Sequence, residues 1–286
     1  MNNGLIGVIG GSGLYQLDGL QDHREEVVET PYGRPSDPLR FGELDGVPLV
    51  FLARHGQGHR LLPTEVPYLA NIYALKSVGV RYIISVSAVG SLVDGIAPRH
   101  VVVPDQFIDL TKRRKSTFFG DGVVAHVSMA QPVSAVVRTA LVNAHTHHAG
   151  ATTCHPTGTY LCIEGPQFSS LAESLYYQAL GASVIGMTNM PEAKLAREAQ
   201  IAYGTLALVT DYDCWHPREA NVEAASALEN MAHNVALAQR IVATAAVELG
   251  RQRPTCDAHT ALSAALVTPR ESVAGERRSI LDTLSR

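Results

Sequence analysis

The chain has 286 residues, of which 46% are hydrophobic and 17% are charged, and its formal net charge is -4. This composition argues against intrinsic disorder, and the absence of a basic block argues against nucleic acid as a partner. No apolar run reaches the roughly 18 residues of a transmembrane helix, and the N-terminus lacks the pattern of a signal peptide. The four cysteines have no C-x-x-C spacing and predict reduced thiols in a cytoplasmic protein.

Strand and helix patterns alternate along most of the chain, which predicts an α/β fold. Several predicted strands are apolar at consecutive positions, as expected of strands covered on both faces. They span residues 5–10, 47–53, 81–88, 100–109, 158–165, 183–188 and 204–211. Helices are predicted over residues 65–78, 132–149, 170–180, from 191 onward and over 222–249. Ser170 and Glu173 form the pattern of a capping box at the start of the third helix.

The end of the chain differs from the part that precedes it. The polar stretch RQRPT, residues 251–255, is broken by proline and follows the last long helix pattern. Two short helix patterns come next, over residues 258–267 and 270–284. We therefore expect one domain over residues 1–250 and a C-terminal helical appendage over residues 251–286.

Glycine-rich or polar clusters follow several of the predicted strands, and the first two of these clusters are typical of anion binding. The turn GGSG fails the dinucleotide fingerprint because Gln16 stands at the third glycine position, which disfavours a nicotinamide oxidoreductase. The turn offers backbone N–H groups and the Ser12 hydroxyl to an anion, although an ordinary tight turn is an equal alternative. Arg54 follows the next strand, where an arginine is usually solvated or salt-bridged. Its guanidinium nevertheless matches a tetrahedral oxyanion, and with Ser12, Ser87 and Thr188 it predicts a site for inorganic phosphate.

Two carboxylates, Asp211 and Asp213, follow the last predicted strand in the stretch VTDYDCW. Asp213 alone could cap a turn, but the two residues share strand parity and are expected to face the same side. Because carboxylates disfavour phosphate, we expect them to meet a heterocycle with N–H donors or a ring nitrogen that becomes basic. Phe168 could supply a stacking face. Since ligands of open α/β sheets bind beyond the carboxyl ends of strands, all these residues predict one site.

The chain resembles the trimeric purine nucleoside phosphorylase and methylthioadenosine phosphorylase family. The resemblance rests on collinear motifs that reach from the N-terminus to about residue 215, and residues beyond Gly250 match poorly. The motifs are IGVIGGSGLY, TPYGRPSD, FLARHG, PYLANIYALK, SAVGSL, DQFIDLT, HVSMAQP, IEGPQFSS, VIGMTNMPE and VTDYDCW. The resemblance implies a single α/β domain with a mixed central β-sheet flanked by helices. It also implies a homotrimer that needs no cofactor or metal and uses inorganic phosphate as co-substrate.

The resemblance also implies roles for individual residues. Phosphate would be held by Ser12, Arg54, His55, Ser87, the Ala88 backbone and Thr188. Met187 would pack against the ribose and Phe168 against the base, while Asp211 would protonate purine N7 and Asp213 would meet the 6-amino group. The 5′ pocket would contain His126 of the neighbouring subunit, with Val222, Ala224 and Leu228 as apolar lining. Serine replaces a frequent threonine at positions 12 and 87, and Gln167 replaces a frequent arginine, which leaves the support of its loop open.

These roles predict phosphorolysis of S-methyl-5′-thioadenosine to adenine and 5-methylthioribose 1-phosphate. The alternatives are a purine nucleoside phosphorylase that acts on adenosine or inosine, or on other 5′-modified 5′-deoxyadenosines. A nucleosidase would use water in place of phosphate, and a non-catalytic purine-binding sensor is a more distant alternative. The residues leave the preferred 5′ group open between methylthio, hydroxyl and halogen. His145, His147 and His148 lie in a polar helix pattern and predict solvated histidines, with no metal site.

Overall fold

The computed structural model describes residues 4–11, 17–148, 152–217 and 224–286. Within these ranges eleven strands form one mixed sheet. The strands are β1 (Leu5–Gly10), β2 (Gln21–Glu26), β3 (Leu39–Leu44), β4 (Val47–Ala53), β5 (Val80–Ser91), β6 (Val101–Val102), β7 (Gln106–Asp109), β8 (Cys154–His155), β9 (Thr159–Cys162), β10 (Val184–Gly186) and β11 (Ala202–Asp211). The helices are α1 (Tyr68–Ser77), α2 (Ala135–His148), α3 (Leu171–Ala179), α4 (Asn189–Glu198), α5 (Ala224–Gln252) and α6 (Gly275–Leu284).

The strands follow the order β2-β3-β4-β1-β5-β10-β9-β7, and β11 continues from β5 to β6 and β8. The central strands β4, β1, β5 and β11 are parallel, so their carboxyl ends meet at one edge. Strand β10 pairs with the end of β5 in the antiparallel sense, which makes the sheet mixed. The predicted α/β class with a mixed central sheet is confirmed.

Helices cover both faces of the sheet. Apolar residues of α1, α4 and α6, such as Ile72, Leu195 and Ile280, pack with the strands in one buried cluster. Helices α2 and α5 pack on the opposite face, where Leu141 and Ile241 belong to a second cluster. This two-sided cover explains why the central strands are apolar at consecutive positions. No helix in the described part of the chain combines the length and apolar character needed to cross a membrane.

Some sequence-based boundaries differ from the structure. The edge strand β2 has the polar sequence QDHREE, which does not show the alternation of a half-buried strand. The strand predicted over residues 100–109 is two strands, β6 and β7, because Pro104 interrupts it and cannot donate to a ladder. The capping box at Ser170 is present, with its side chain accepting from the Glu173 amide.

The C-terminal segment packs into the same core as the rest of the chain. The predicted helix over residues 258–267 is wrong, since only Asp257–Thr260 forms a helical turn, of 3₁₀ type. Helix α6 forms within the second predicted span. Leu262, Ala265, Ile280 and Leu284 belong to the core cluster on the α1 side of the sheet. The domain boundary at residue 250 stays a prediction.

Candidate active site

The sheet opens beside the carboxyl end of β5. Strand β5 pairs with β1 as far as Ser85 and with β10 only from Gly90 onward, whereas β11 pairs along its other side. Residues 86–89 thus have no partner on the β1 side among the described strands. Ala88 is the exposed position in the middle of this otherwise largely buried strand. We call this opening the β5 gap, and it gives access to backbone groups at the end of the sheet where ligands bind.

Arg54 reaches across the end of β1 to one end of the β5 gap. It is 2% exposed, and its Nη1 donates to the carbonyl of Val86 at 3.0 Å. Its Nε and Nη2 donate to the Glu192 carboxylate at 2.7 and 2.9 Å, and Nη2 also donates to Ser85 Oγ at 2.6 Å. Burial alone lowers the pKa of Arg54, but the ion pair with Glu192 outweighs burial and raises it. Arg54 is therefore a fixed cation.

The ion pair of Arg54 bears on its predicted role. Glu192 is 1% exposed, and its carboxylate also accepts from the hydroxyls of Ser85 and Tyr203, both at 2.8 Å. The contacts described above use four of the five N–H donors of Arg54. One hydrogen on Nη1 has no acceptor among the described residues. Arg54 can therefore offer one charge-assisted hydrogen bond to an anion, but no bidentate pair.

Ser87 and Thr188 place two hydroxyls side by side in the β5 gap. Their oxygens are 3.2 Å apart, and the Tyr160 hydroxyl lies 3.1 Å from Ser87 Oγ. Tyr160 fits because Gly186 has no side chain; a Cβ there would lie 1.9 Å from the tyrosine oxygen. Burial raises the pKa of Tyr160, so this hydroxyl stays neutral.

His55 is held as a neutral ring beside Arg54. Its Nδ1 donates to the carbonyl of Leu61 at 2.8 Å, and the ring stacks on His59 with centroids 4.2 Å apart. Burial, followed by the charge of Arg54, lowers the pKa of His55 to about 4. At neutral pH the proton is therefore on Nδ1, and Nε2 is an acceptor.

Asp211 lies at the opposite end of the β5 gap, next to Gly90. A Cβ at Gly90 would lie 2.7 Å from Asp211 Oδ1, so glycine makes room for the carboxylate. Thr210 Oγ1 donates to Oδ2 at 2.7 Å, and the Asp213 amide donates to Oδ1 at 2.8 Å. Burial is the largest influence and raises the pKa of Asp211, helped by the charge of Asp213 and opposed by these two hydrogen bonds.

Asp213 is buried, but its position does not follow from strand parity. Strand β11 ends at Asp211, and Asp213 lies in a turn with φ of 51°. The parity argument was therefore wrong, because parity applies only within a strand. The Asp213 amide turns back to Asp211, and its Oδ2 accepts from Ser174 Oγ at 2.7 Å.

The two ends of the β5 gap are a nucleoside's length apart. Val86, which Arg54 binds, and Gly90, which adjoins Asp211, are four residues apart on β5, or about 13 Å. Because Val86 points its carbonyl toward Arg54, Ala88 two residues later points its backbone polar groups to the same side. Arg54 and the two hydroxyls thus lie beside residues 86–87 of β5, and the Asp211 carboxylate lies beside Gly90 at the far end of the same stretch.

The remaining predicted residues lie around or away from this opening. Met187 packs its sulfur against Gly165, where a Cβ would lie 2.4 Å away, and Phe168 in the following loop is 47% exposed. His126 donates its backbone N–H to the carbonyl of Ala265 at 2.8 Å and borders an apolar cavity of about 480 Å³. Within the described part of the chain, no hydrogen bond joins His126 to the β5 gap. Ser12 lies outside the described residues, as do Val222 and the side chains of Ala224 and Leu228.

Sequence reasoning missed several residues of the site. The sequence predicted a helix from residue 191 onward without assigning Glu192 a role in the site, and it assigned no role to Tyr160 or Ser174. Helix α4 carries four charged residues, and nothing in its pattern indicates that Glu192 is buried against a cation. Nothing in the sequence identified Arg54 as that cation.

The structure does not group metal ligands. Among the described residues, no three His, Cys, Asp or Glu side chains come together as a metal site. The prediction that the three histidines of α2 are solvated was wrong for His145. That residue is buried, and it shares a face of α2 with the buried Val137 and Leu141. The four cysteines are free, and only Cys162 is fully buried.

Comparison with known proteins assigns the family. The model of the Phosphorylase superfamily matches residues 5–247. The chain belongs to this superfamily. S-methyl-5′-thioadenosine phosphorylase of Geobacter sulfurreducens is 54% identical over 281 residues, covering 98% of this chain and 97% of the relative. The enzyme of the same name from Thermosynechococcus vestitus is 51% identical over 280 residues, with the same coverage.

Solved structures of family members share this fold. A methylthioadenosine phosphorylase sourced from an antarctic soil metagenomic library superposes with a TM-score of 0.95 at 56% identity, covering 99% of both chains. The methylthioadenosine phosphorylase of Schistosoma mansoni in complex with adenine has a TM-score of 0.81 at 35% identity, covering 87% of this chain and 92% of that chain. The family that the sequence motifs predicted is thus confirmed.

Proposed function

We propose that this protein cleaves S-methyl-5′-thioadenosine with inorganic phosphate, forming adenine and 5-methylthioribose 1-phosphate. This reaction makes it a nucleoside phosphorylase, which is a pentosyltransferase. The observation that carries the proposal is the position of Asp211, partly buried and with a raised pKa, at one end of a gap whose other end holds the Arg54 cation. The names of the relatives support the choice of substrate.

Phosphate binds, in this proposal, at the Arg54 end of the β5 gap. The remaining Nη1 hydrogen of Arg54, the hydroxyls of Ser87 and Thr188 and the amide of Ala88 supply donors. Ser12, in the turn after β1, is proposed in the same role. These donors are held by the sheet before phosphate arrives, so little reorganisation is needed on binding.

His55 contributes an acceptor to this phosphate site. Its Nδ1 is committed to the carbonyl of Leu61, and its low pKa keeps Nε2 without a proton at neutral pH. An unprotonated ring nitrogen can accept a hydrogen bond from the P–OH group of the monohydrogen phosphate dianion. The ring would thereby orient the phosphate while the other oxygens face the donors.

The chemical step breaks the bond between C1′ and N9 and forms a bond between C1′ and a phosphate oxygen. The sugar becomes cationic as the first bond loosens, and the phosphate dianion stabilises that charge and attacks with inversion. The electron pair of the broken bond moves to the purine, and Asp211 protonates N7. This step requires a neutral carboxyl, which the raised pKa of Asp211 favours. The proton that phosphate loses restores Asp211 through solvent. General acid catalysis of this kind contributes about 10²–10⁴-fold to the rate.

The purine is selected by Asp213 in this proposal. Ser174 donates to one carboxylate oxygen of Asp213 and holds it in place, which leaves the other oxygen for the 6-amino group. A 6-oxo group would be repelled, and a site built to bind an amine discriminates strongly against analogues that lack it. Phe168 supplies the stacking face, and Met187 packs against the ribose.

The 5′ pocket is completed by a neighbouring subunit of a homotrimer. Beside the Phe168 loop, helix α3 exposes Leu171, Leu175 and Tyr176, and the exposed Leu180 follows the helix; these residues are between 40% and 57% exposed. Contiguous apolar surface of this kind marks an interaction site. His126 of the neighbour is proposed to enter the pocket, with Ala224 and Leu228 as its apolar lining.

No cofactor or metal takes part in the proposed reaction, and phosphate is the co-substrate. A cytoplasmic location is also proposed, since the four cysteines are free.

A phosphorolysis panel tests the proposed function. S-methyl-5′-thioadenosine, adenosine, inosine and 5′-methylthioinosine are each incubated with and without phosphate, and base and sugar phosphate are quantified. We expect rapid, phosphate-dependent cleavage of the methylthioadenosine and weak cleavage of both 6-oxopurines. Preferred cleavage of adenosine or inosine would instead assign a purine nucleoside phosphorylase. Cleavage without phosphate would assign a nucleosidase, and tight binding without any cleavage would assign a sensor.

A further inference from the structure

Arg114 is a buried arginine within an otherwise exposed basic run. Its neighbours in KRRK, residues 112–115, are exposed, whereas the side chain of Arg114 is 1% exposed. An arginine in this environment needs acceptors for its five N–H donors, because an unpaired buried charge is costly. The acceptors that it finds lie on the segments that carry the nucleoside contacts.

The guanidinium of Arg114 contacts six acceptor atoms, four of which are backbone carbonyls. Nε donates to Glu164 Oε1 at 3.1 Å; Nη1 donates to Tyr68 OH at 3.0 Å and to the carbonyls of Met187 at 2.7 Å and Met190 at 2.6 Å; Nη2 donates to the carbonyls of Ile163 at 3.4 Å and Glu164 at 2.7 Å. All three nitrogens of the planar guanidinium thus donate hydrogen bonds, each in its own direction.

The four carbonyls belong to two irregular segments. Residues 187–188 join β10 to α4 and contain Thr188, and Met190 interrupts the first turn of α4. Residues 163–170 join β9 to α3 and contain Phe168. Met190 has φ of -118° and ψ of 132°, so its carbonyl leaves the helical pattern and needs another donor. Arg114 supplies this donor and connects the ribose side of the site to the base side.

We infer that Arg114 is a positioning residue for the nucleoside in the proposed reaction. Its guanidinium N–H groups donate to acceptors of the protein, so it acts through the residues that it holds and not on a ligand directly. It fixes the distance between the Met187 turn and the Phe168 loop, and thereby the width of the space that receives ribose and base. This inference rests on the proposed function for its substrate.

The geometry also predicts which ligand is affected. Among the proposed phosphate contacts, Arg54, Ser87 and the His55 ring make no contact with Arg114. Of the contacts that the structure describes, only Thr188 lies on a segment that Arg114 holds. Met187 and Phe168 depend on the segments that Arg114 joins. Loss of the Arg114 hydrogen bonds should therefore weaken binding of the nucleoside more than binding of phosphate.

The test compares Arg114→Lys with the wild type. A lysine keeps the charge, but its three N–H donors cannot serve six acceptors in two segments. Misplacement of reacting groups by about 1 Å can lower rates about 100-fold. We expect KM for S-methyl-5′-thioadenosine to rise at least tenfold and kcat to fall, with KM for phosphate changed less than about threefold. Adenine binding, measured by calorimetry, should weaken in parallel with the nucleoside.

Arg197→Lys is the matched control. Arg197 is also largely buried and pairs with Asp257 at 2.8 Å, on the side of the C-terminal segment. This control should lower the melting temperature while leaving both KM values at the wild-type level. If Arg114→Lys fails to fold, Tyr68→Phe serves instead. This variant removes one hydroxyl that accepts from Arg114 and should raise KM for the nucleoside about two- to threefold.

Two results would overturn the inference. One is an Arg114→Lys enzyme with wild-type nucleoside KM and adenine affinity and only a lower melting temperature, as in the control. The other is an equal rise of both KM values. Because adenine binding needs no turnover, it tests Arg114 even if the wild type fails to cleave S-methyl-5′-thioadenosine, which would refute the proposed function separately.

Discussion

Replacement of Glu192 by glutamine should destabilise the protein and make its stability depend more strongly on phosphate. The substitution keeps the shape of the side chain but removes the negative charge that faces Arg54. One carboxylate oxygen accepts three hydrogen bonds and the other accepts only the Arg54 Nε–H. The amide nitrogen should therefore take the second position, where it faces a donor. Removing one partner of a buried ion pair costs about 3–5 kcal/mol, and the retained hydrogen bonds favour the lower figure.

The magnitude translates into measurable shifts. A loss of about 3 kcal/mol lowers the melting temperature of a chain of this size by about 5 °C. Phosphate would then become the principal counter-charge for Arg54. We therefore expect saturating phosphate to raise the melting temperature of Glu192→Gln by more than it raises that of the wild type. Differential scanning calorimetry of both proteins, with and without phosphate, measures both effects.

Glu198→Gln is the control for this prediction. Glu198 lies in the same helix, and its carboxylate accepts from Thr117 Oγ1 and the Phe118 amide, each at 2.7 Å. This control should show the same phosphate effect as the wild type. A Glu192→Gln protein as stable as the wild type would refute the buried ion pair. Weaker protection by phosphate than in the wild type would refute the placement of phosphate at Arg54.

Other predictions concern the carboxylates and the histidine. Asp211→Asn should lower kcat/KM for adenine nucleosides by about 10²–10⁴-fold with little change in phosphate affinity by calorimetry, and equal loss of both would contradict its role as the acid. Because burial raises the pKa of Asp211, kcat/KM should fall as pH rises through that pKa. The stability that the neutral carboxyl contributes should be lost over the same rise in pH. A kcat/KM profile that does not fall at high pH would contradict the role of Asp211 as the acid. Ser174→Ala removes a hydrogen bond to Asp213 that is worth about 1 kcal/mol, so KM for the nucleoside should rise about fivefold in steady-state assays while KM for phosphate stays constant. The pKa of His55 is lowered from 6.5 to about 4, so its neutral ring contributes stability above pH 6.5 that is lost as pH falls toward 4. Denaturant titrations should show that the free energy of unfolding of His55→Gln falls less over this pH range than that of the wild type. An unchanged pH dependence would show that the ring does not titrate in this way.

The central strands were predictable because the residues of each strand form an apolar run that can be recognised without knowing its partners. Strands β1 and β4 have the bounds that their apolar runs indicated, since glycine or polar residues end each run. Strand β2 was not predictable, because a polar edge strand is defined by its partner β3 and not by its own pattern. The polar residues at the strand ends were also identified in advance, because parallel strands bring their carboxyl ends to one edge.

Partners distant in sequence were not predictable. Arg54 and Glu192 are 138 residues apart, and neither local pattern indicates the other. Arg114 stands in a basic run that normally predicts solvated side chains, and only the fold shows that one of the four is buried. Asp213 lies two residues beyond the end of β11, where strand parity no longer applies. In each case the decisive information is a long-range contact.

The β5 gap has a further consequence for the protein as a molecule in a crowded solution. Peptide groups without a strand partner normally invite pairing with another chain and hence aggregation. Here the unpaired stretch lies inside the sheet, between β1 and β10, where a foreign strand has no room to align. The β5 gap thus leaves peptide groups unpaired without adding a further exposed edge to those of β2, β7 and β8.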